Sequence, residues 1–306
     1  MSGVPAGGSH HPVFARFPRW EGVTASGFEH DFLGVRTRRA WFTTSAGTDA
    51  VKRRPELPEV NEEYFEWIDL LEAVEAAEGT FTMIELGAGW GRWLARGAVA
   101  ARLLGKGVRL TGVEAEPTHF RWMKRHLADN GVPRRSRDLH RAAVAETPGR
   151  VRFHVGDPAA WYGQAIDRDA TPSGRRERLR GFVARQLGTT TNSRLIVDVR
   201  AITLADLLAG VDRVDLIDLD VQGVEADVLT AAAEQIHSRV RRVHVGTHSS
   251  ENELRCRELF TSLGWRNVND FPFGTTVPTE WGPVSFQDGV QTWINDSLAP
   301  SASGIS

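Results

Sequence analysis

The chain has 306 residues, enough for one large domain or two small ones, and its 41% hydrophobic and 25% charged residues are ordinary for a globular protein. A formal net charge of −2 gives no broad field for a polyanion, so nucleic acid is not an expected partner. One cysteine, Cys256, excludes an intrachain disulfide; no apolar run approaches the roughly 18 residues of a membrane helix, and the start lacks a signal-peptide pattern, so a cytoplasmic protein with no membrane partner is expected.

Residues 1–60 read as an N-terminal extension or cap. Its first dozen residues are small and polar and expected to be disordered, whereas Phe14, Phe17, Trp20, Phe28, Phe32, Trp41 and Phe42 give the rest the character of an ordered arm. Asn61 is placed to cap a helix over Glu62–Ala77, whose Phe65, Ile68, Leu71 and Val74 recur at helical spacing.

Phe81–Leu86 is a short apolar run of the kind that forms a strand buried on both faces. It carries Glu85 near its end and breaks into Gly87, Ala88, Gly89 and Gly91, after which Arg92–Leu104 reads as a helix. Strand, glycine turn and helix are the parts of a nucleotide-binding unit, because glycine admits positive φ and close approach of a ligand to the main chain. The spacing E-x-G-x-G-x-G is not the dinucleotide G-x-G-x-x-G, and the acid suits a ligand with a positive amino group better than a diphosphate. S-adenosylmethionine (SAM) is such a ligand.

Val108–Val113 is the next strand, and it delivers Glu114 and Ala115 at its carboxyl end, where a carboxylate can accept both hydroxyls of a ribose. A helix then runs from Pro117 to about Asn130, and strands are expected at Leu139–Ala145 and Arg150–Val155, with Ala143 small enough to face an adenine ring. Residues 156–192 break the α/β rhythm with an arginine-rich insertion. Trp161 and Tyr162 there can stack on a sugar or flat ring, and Gln164 can read a hydroxyl.

Thr203 caps a short helix, and Val214–Asp220 is a strand that presents Asp218 and Asp220 at its carboxyl end. A helix follows over Val224–His237. The strand Val240–Thr247 is followed by His248, a candidate general base beside Asp220, while His244 within the strand is expected to be packed or hydrogen-bonded. Asp218, Asp220 and His248 also form a weak candidate set for a divalent metal. A helix over Glu251–Leu263 and strands at Arg266–Phe271 and Ser285–Ile294 complete the pattern. The last two strands have no full helix between them and imply an antiparallel end to a parallel sheet, and 297–306 read as a polar tail.

I-E-L-G-A-G-W-G (84–91), V-E-A-E-P-T-H-F (113–120), A-I-T-L-A-D-L-L (201–208) and I-D-L-D-V-Q-G-V-E-A-D-V-L (217–229), in that order, resemble the FkbM-type SAM-dependent methyltransferases, over about 81–265. The resemblance implies an α/β, Rossmann-like class I methyltransferase fold: a mostly parallel seven-stranded sheet with an antiparallel last strand and helices on both faces, over residues 61–296. It implies methyl transfer from SAM to a hydroxyl of a small molecule, such as a sugar or secondary metabolite. Gln222 stands where the family has an acid in its D-V-E-G turn. Two alternatives stay open: an NAD(P)-dependent oxidoreductase, and a non-catalytic SAM-binding protein. Ten tryptophans and an aromatic arm leave room for a homodimer contact.

Overall fold

The computed structural model describes residues 10–42, 50–155 and 195–298. Seven strands form the central sheet: β1 (Thr80–Leu86), β2 (Gly107–Val113), β3 (Arg137–His140), β4 (Leu216–Leu219), β5 (Arg242–Thr247), β6 (Arg266–Phe271) and β7 (Gly289–Ile294). Their order across the sheet is β3-β2-β1-β4-β5-β7-β6. Only β7 of these runs antiparallel to its neighbours, β5 and β6. This is the expected Rossmann-like class I arrangement. The strand order reverses between β1 and β4, which opens a crevice at their carboxyl ends.

Alternation along β1 explains why it is central. Phe81 and Met83 pack into one core cluster, while Ile84 and Leu86 pack into the other on the opposite face. The first face is covered by α1 (Glu63–Ala76), α2 (Arg92–Leu103) and α3 (Pro117–Asp129). The second is covered by α4 (Leu204–Ala209), α5 (Glu225–Ala231), α6 (Ala233–Arg239) and α7 (Ser250–Ser262). Val13, Phe14, Phe17, Phe32, Leu33 and Val35 of the N-terminal arm are buried in the first cluster, together with Tyr64 and Phe65 of α1. Among the described residues no helix is long and apolar enough to cross a membrane.

Several elements differ from their sequence pattern. The run 139–145 splits in two: β3 ends at His140, and Ala143–Val144 joins a separate three-stranded sheet. The cause is local, since Glu114 uses its backbone N–H on His140 and its carbonyl on the Ala142 N–H, so the chain crosses the end of β2. Gly149–Val155 lies in that small sheet, antiparallel to a strand at Leu195–Ile202 that the sequence reading did not include. The helix expected over Val224–His237 breaks at Ala232 into α5 and α6. Ser285–Ile294 is interrupted at Gln287–Asp288, and the strand before the break, Gly282–Phe286, forms a hairpin with Thr275–Thr279. Asn61 contributes its backbone carbonyl to Tyr64 but no side-chain cap; Glu63 and Glu66 supply the negative charge in the first turn of α1.

Candidate active site

The glycine loop is held by three strands. Gly87, Gly89 and Gly91 have φ of 81°, 52° and 70°, the left-handed region where a side chain is strained. The Gly87 and Ala88 N–H groups donate to the Val113 carbonyl of β2 at 3.0 and 2.9 Å, and the Asp220 N–H beyond β4 donates to Leu86 at 3.0 Å. A Cβ on Gly87 would stand 1.7 Å from the Asp220 carbonyl oxygen, so no other residue fits between β1 and the turn after β4.

Two buried carboxyls serve this loop through backbone donors. Glu85 accepts the Leu94 N–H at 3.0 Å and caps the start of α2; burial, then the nearby Asp218, push its pKa well up. Glu114 accepts the Gly89 N–H at 2.7 Å on one oxygen and the Glu116 N–H at 2.6 Å on the other. Burial raises its pKa to about 8, against the pull of those donors. Each carboxylate oxygen has a second lone pair, so Glu114 can hold the loop and still accept from a ligand in the cleft.

Sheet register assembles a second group. Asp218 on β4 lies directly opposite Glu85 on β1 and opposite His244 on β5, so three titratable side chains form a row across adjacent strands. Helix α1 crosses this row and supplies Glu66 and Asp69, three residues apart and hence on one helix face. Asp69 accepts from His244 Nδ1 at 2.7 Å and from Arg242 at 2.6 Å, and its pKa is lowered by these partners although burial opposes it. Glu66 and Asp218 are hydrogen-bonded to each other, an arrangement that requires a proton between the carboxyls; burial leads in raising both, Asp218 to about 6. His244, within β5, is thus hydrogen-bonded to Asp69 of α1, in line with the expectation of a packed or hydrogen-bonded side chain.

A third group lies at the crevice end of β5. His248 Nδ1 is 2.8 Å from Glu225 Oε1, and its Nε2 is 3.2 Å from Asp220 Oδ1 and 3.0 Å from the Gln222 side-chain nitrogen. Glu225 is fully buried and its oxygens also take the Gly223 N–H at 2.8 Å and the Asn252 amide at 2.7 Å. Burial alone would lower the His248 pKa, but Asp220 and Glu225 outweigh it and raise it to about 10. Two acids thus hold the His248 proton, which weighs against its taking one from an acceptor. His248 is an imidazolium at neutral pH and does not line the cleft, whereas Asp220 and Gln222 do. Gln222 also has a φ of 59°, the sole positive value outside glycine among the described residues. The structure also divides the expected metal set: Asp218 groups with Glu66 and His244, and Asp220 with Glu225 and His248.

These groups meet in one cleft of about 670 Å³, bounded by the glycine loop, Glu114, the β4 and β5 ends, α1 and the arm. Ala115, Ala143 and Phe153 form a small buried apolar cluster on its wall, which brings Ala143, the alanine expected to face an adenine ring, beside Ala115. Trp161, Tyr162 and Gln164 lie outside the described residues. Sequence reading missed Glu66, Glu225 and Phe153 as site residues. Glu66 and Phe153 are brought in by tertiary packing, while Glu225, in the first turn of a helix after the glycine turn, carried a readable signal.

A parallel sheet with its crevice at a glycine loop, an acid at the end of β2 and an antiparallel β7 define a class I methyltransferase-type fold. Residues 85–265 match the model of the methyltransferase FkbM domain, more than half of the chain, and the chain belongs to that family. A protein of Jannaschia sp. (strain CCS1), whose name gives methyltransferase provisionally, is 29% identical over 210 residues, covering 68% of this chain and 70% of the relative. Among solved structures, methyltransferase FkbM from Methylobacillus flagellatus KT superposes with a TM-score of 0.44 at 15% identity, over 72% of this chain and 45% of that one. This chain therefore spans less than half of that protein's length. Precorrin-6y C5,15-methyltransferase from Geobacter metallireducens GS-15 gives a TM-score of 0.39 at 12% identity, over 84% of this chain and 94% of the other.

Proposed function

We propose that the protein transfers a methyl group from SAM to a hydroxyl of a small-molecule acceptor. The observation that carries this reading is Glu114: a buried carboxyl fixed to the glycine loop on the cleft wall, with lone pairs left for a ribose diol, beside the apolar patch of Ala115, Ala143 and Phe153 that suits an adenine. The donor set therefore fits a nucleoside. Glu85, the loop residues Gly87, Ala88 and Gly89, and Glu114 would hold the cofactor, which supplies an already activated methyl group.

The chain's own task is then to orient the acceptor oxygen and take its proton. Asp220 has the better position for that proton, because it lines the cleft and its side chain is 58% exposed. His248 acts behind it as a positioning residue: the imidazolium holds one Asp220 oxygen and is itself fixed by the buried Glu225. Gln222 steadies the same pair, with its side-chain nitrogen 3.3 Å from Asp220 Oδ1.

Calorimetric titration with SAM and, in parallel, NADH tests the reading. Micromolar SAM binding, weakened at least about tenfold by Glu114→Gln in a protein that melts as a folded unit, and no binding of NADH, is the expected result. No binding of SAM overturns it.

A further inference from the structure

We infer that the acceptor carries a positive charge: the cleft is built for a hydroxyl compound bearing an ammonium group, such as an amino sugar, aminocyclitol or amino alcohol. The inference rests on the methyltransferase reading and concerns the other end of the same cleft. The described lining contains ten carboxyl residues against two arginines and no lysine, so even with protons held on Glu85, Glu114 and the Glu66–Asp218 pair its acids outnumber its cations. Low-dielectric walls concentrate such a field instead of letting solvent screen it.

The cations that do reach this region are matched by the protein's own acids. Arg92 pairs with Glu63 at 2.8 Å and Arg96 with Asp31 at 3.5 Å. His244 pairs with Asp69, and His248 behind the wall with Glu225. None of these four is left to receive a phosphate or carboxylate on the acceptor without first breaking a pair, and for the buried His244–Asp69 and His248–Glu225 pairs that leaves an uncompensated charge.

The acids are not matched in the same way. Glu66 and Asp218 satisfy each other only by holding a proton. Asp288 is 33% exposed and has His248 at 3.8 Å, while burial, and then Asp220 and Glu62, disfavour its charge. Glu62 accepts the Gln287 N–H at 2.8 Å and lines the same cleft. Glu62, Asp220 and Asp288 thus line the same cleft as Glu114 and the apolar patch, Asp220 and Asp288 both near His248 Nε2 and Glu62 on the Gln287 N–H beside Asp288. An ammonium there relieves their mutual repulsion, and it would hold a neighbouring hydroxyl of the same molecule next to Asp220.

A divalent ion is the competing source of positive charge. The nearby cluster of Asp220, Glu225 and His248 offers it little, because both Glu225 oxygens already accept N–H donors and His248 turns Nδ1 toward Glu225. The organic cation is therefore the better occupant.

Ligand-observed NMR on the full chain loaded with SAM provides the test, with 2-deoxystreptamine as probe against its di-N-acetyl derivative, myo-inositol and a myo-inositol phosphate. The diamine is expected to bind about tenfold or more tightly than each of the others, to weaken with added salt, and to lose about tenfold in Glu62→Gln/Asp288→Asn. Equal or better binding of a neutral or phosphorylated probe overturns the inference. So does no diamine binding at millimolar concentration, or binding that the double substitution leaves intact. Displacement of the diamine by Mg²⁺ alone at similar concentration assigns the space to a metal and also overturns it. SAM binding measured on the same samples separates the failures: SAM bound without diamine selectivity sinks this inference alone, and SAM not bound sinks the methyltransferase mechanism on which it rests.

Discussion

The two walls of the cleft use carboxyl groups in opposite ways. On the β1–β2 side, Glu85 and Glu114 accept from backbone N–H groups of the loop and helix starts they stabilise. On the β4–β5 side, Glu66 and Asp218 pair with each other, and Asp220 and Glu225 with His248. The first wall makes its own framework rigid. The second concentrates charge and protons that a substrate can use. A carboxyl satisfied by backbone has its geometry fixed by chain path, whereas one satisfied by another side chain can exchange partners when a ligand arrives.

The largest effect should come from the point where the walls touch. Gly87→Ala sets a Cβ 1.7 Å from the Asp220 carbonyl oxygen in a residue with φ of 81°, and neither backbone can yield without separating β1 from β4. Strain and overpacking together should cost about 3 kcal/mol or more and eliminate SAM binding. Thermal melts and calorimetry read both. A variant that binds SAM normally would mean the walls are not mechanically joined there.

A smaller and more selective effect is expected on the second wall. Glu225→Gln keeps a side-chain oxygen for the Gly223 N–H or the Asn252 amide but removes the charge that holds His248. Turnover should fall about a hundredfold while SAM affinity stays within about twofold, because the first wall is untouched. A matched loss in SAM affinity would show that the two walls are one unit. Glu225→Asp, which keeps the charge, should recover part of the turnover; equal loss in both variants would point to a packing role.

This contrast also explains what the sequence revealed. The first wall is local: Glu85, the glycines and Glu114 sit at the ends of consecutive strands, so periodicity and turn chemistry place them before any tertiary structure is known. The second wall joins Glu66 of α1, Asp218 of β4, His244 of β5 and Glu225 of α5, segments up to about 180 residues apart, and their meeting depends on strand order and register. Asp218, Asp220 and His248 were visible as residues at strand ends, but not their division into two clusters. The surroundings of His248 were hidden for a further reason: its pKa is raised by Asp220 and Glu225 against burial, and no spacing rule reveals how many acids surround an imidazole. The extra sheet of Gly149–Val155 and Leu195–Ile202 was hidden because its strands are separated by the arginine-rich insertion.

The finest distinction is in alkaline stability. Among the groups on the two walls with folded pKa values above their ordinary ones are Asp218, from 3.8 to about 6; Glu114, from 4.5 to about 8; and His248, from 6.5 to about 10. In each case the folded chain holds the proton more tightly than the unfolded chain, so stability is full below the ordinary pKa and declines as pH rises through the folded one. The windows differ. Glu114, on the first wall, should account for loss between about pH 4.5 and 8, and His248, on the second, for loss between about pH 6.5 and 10. Melting temperature should therefore fall steadily from pH 6 to 10 in the wild-type protein. Glu114→Gln should flatten the lower part of that slope and His248→Gln the upper part, each by a few degrees at about 2 °C per kcal/mol for a chain of this size. If either substitution flattens the entire range, the carboxyls of the two walls titrate as one coupled group, and the division between a framework wall and a chemical wall does not hold.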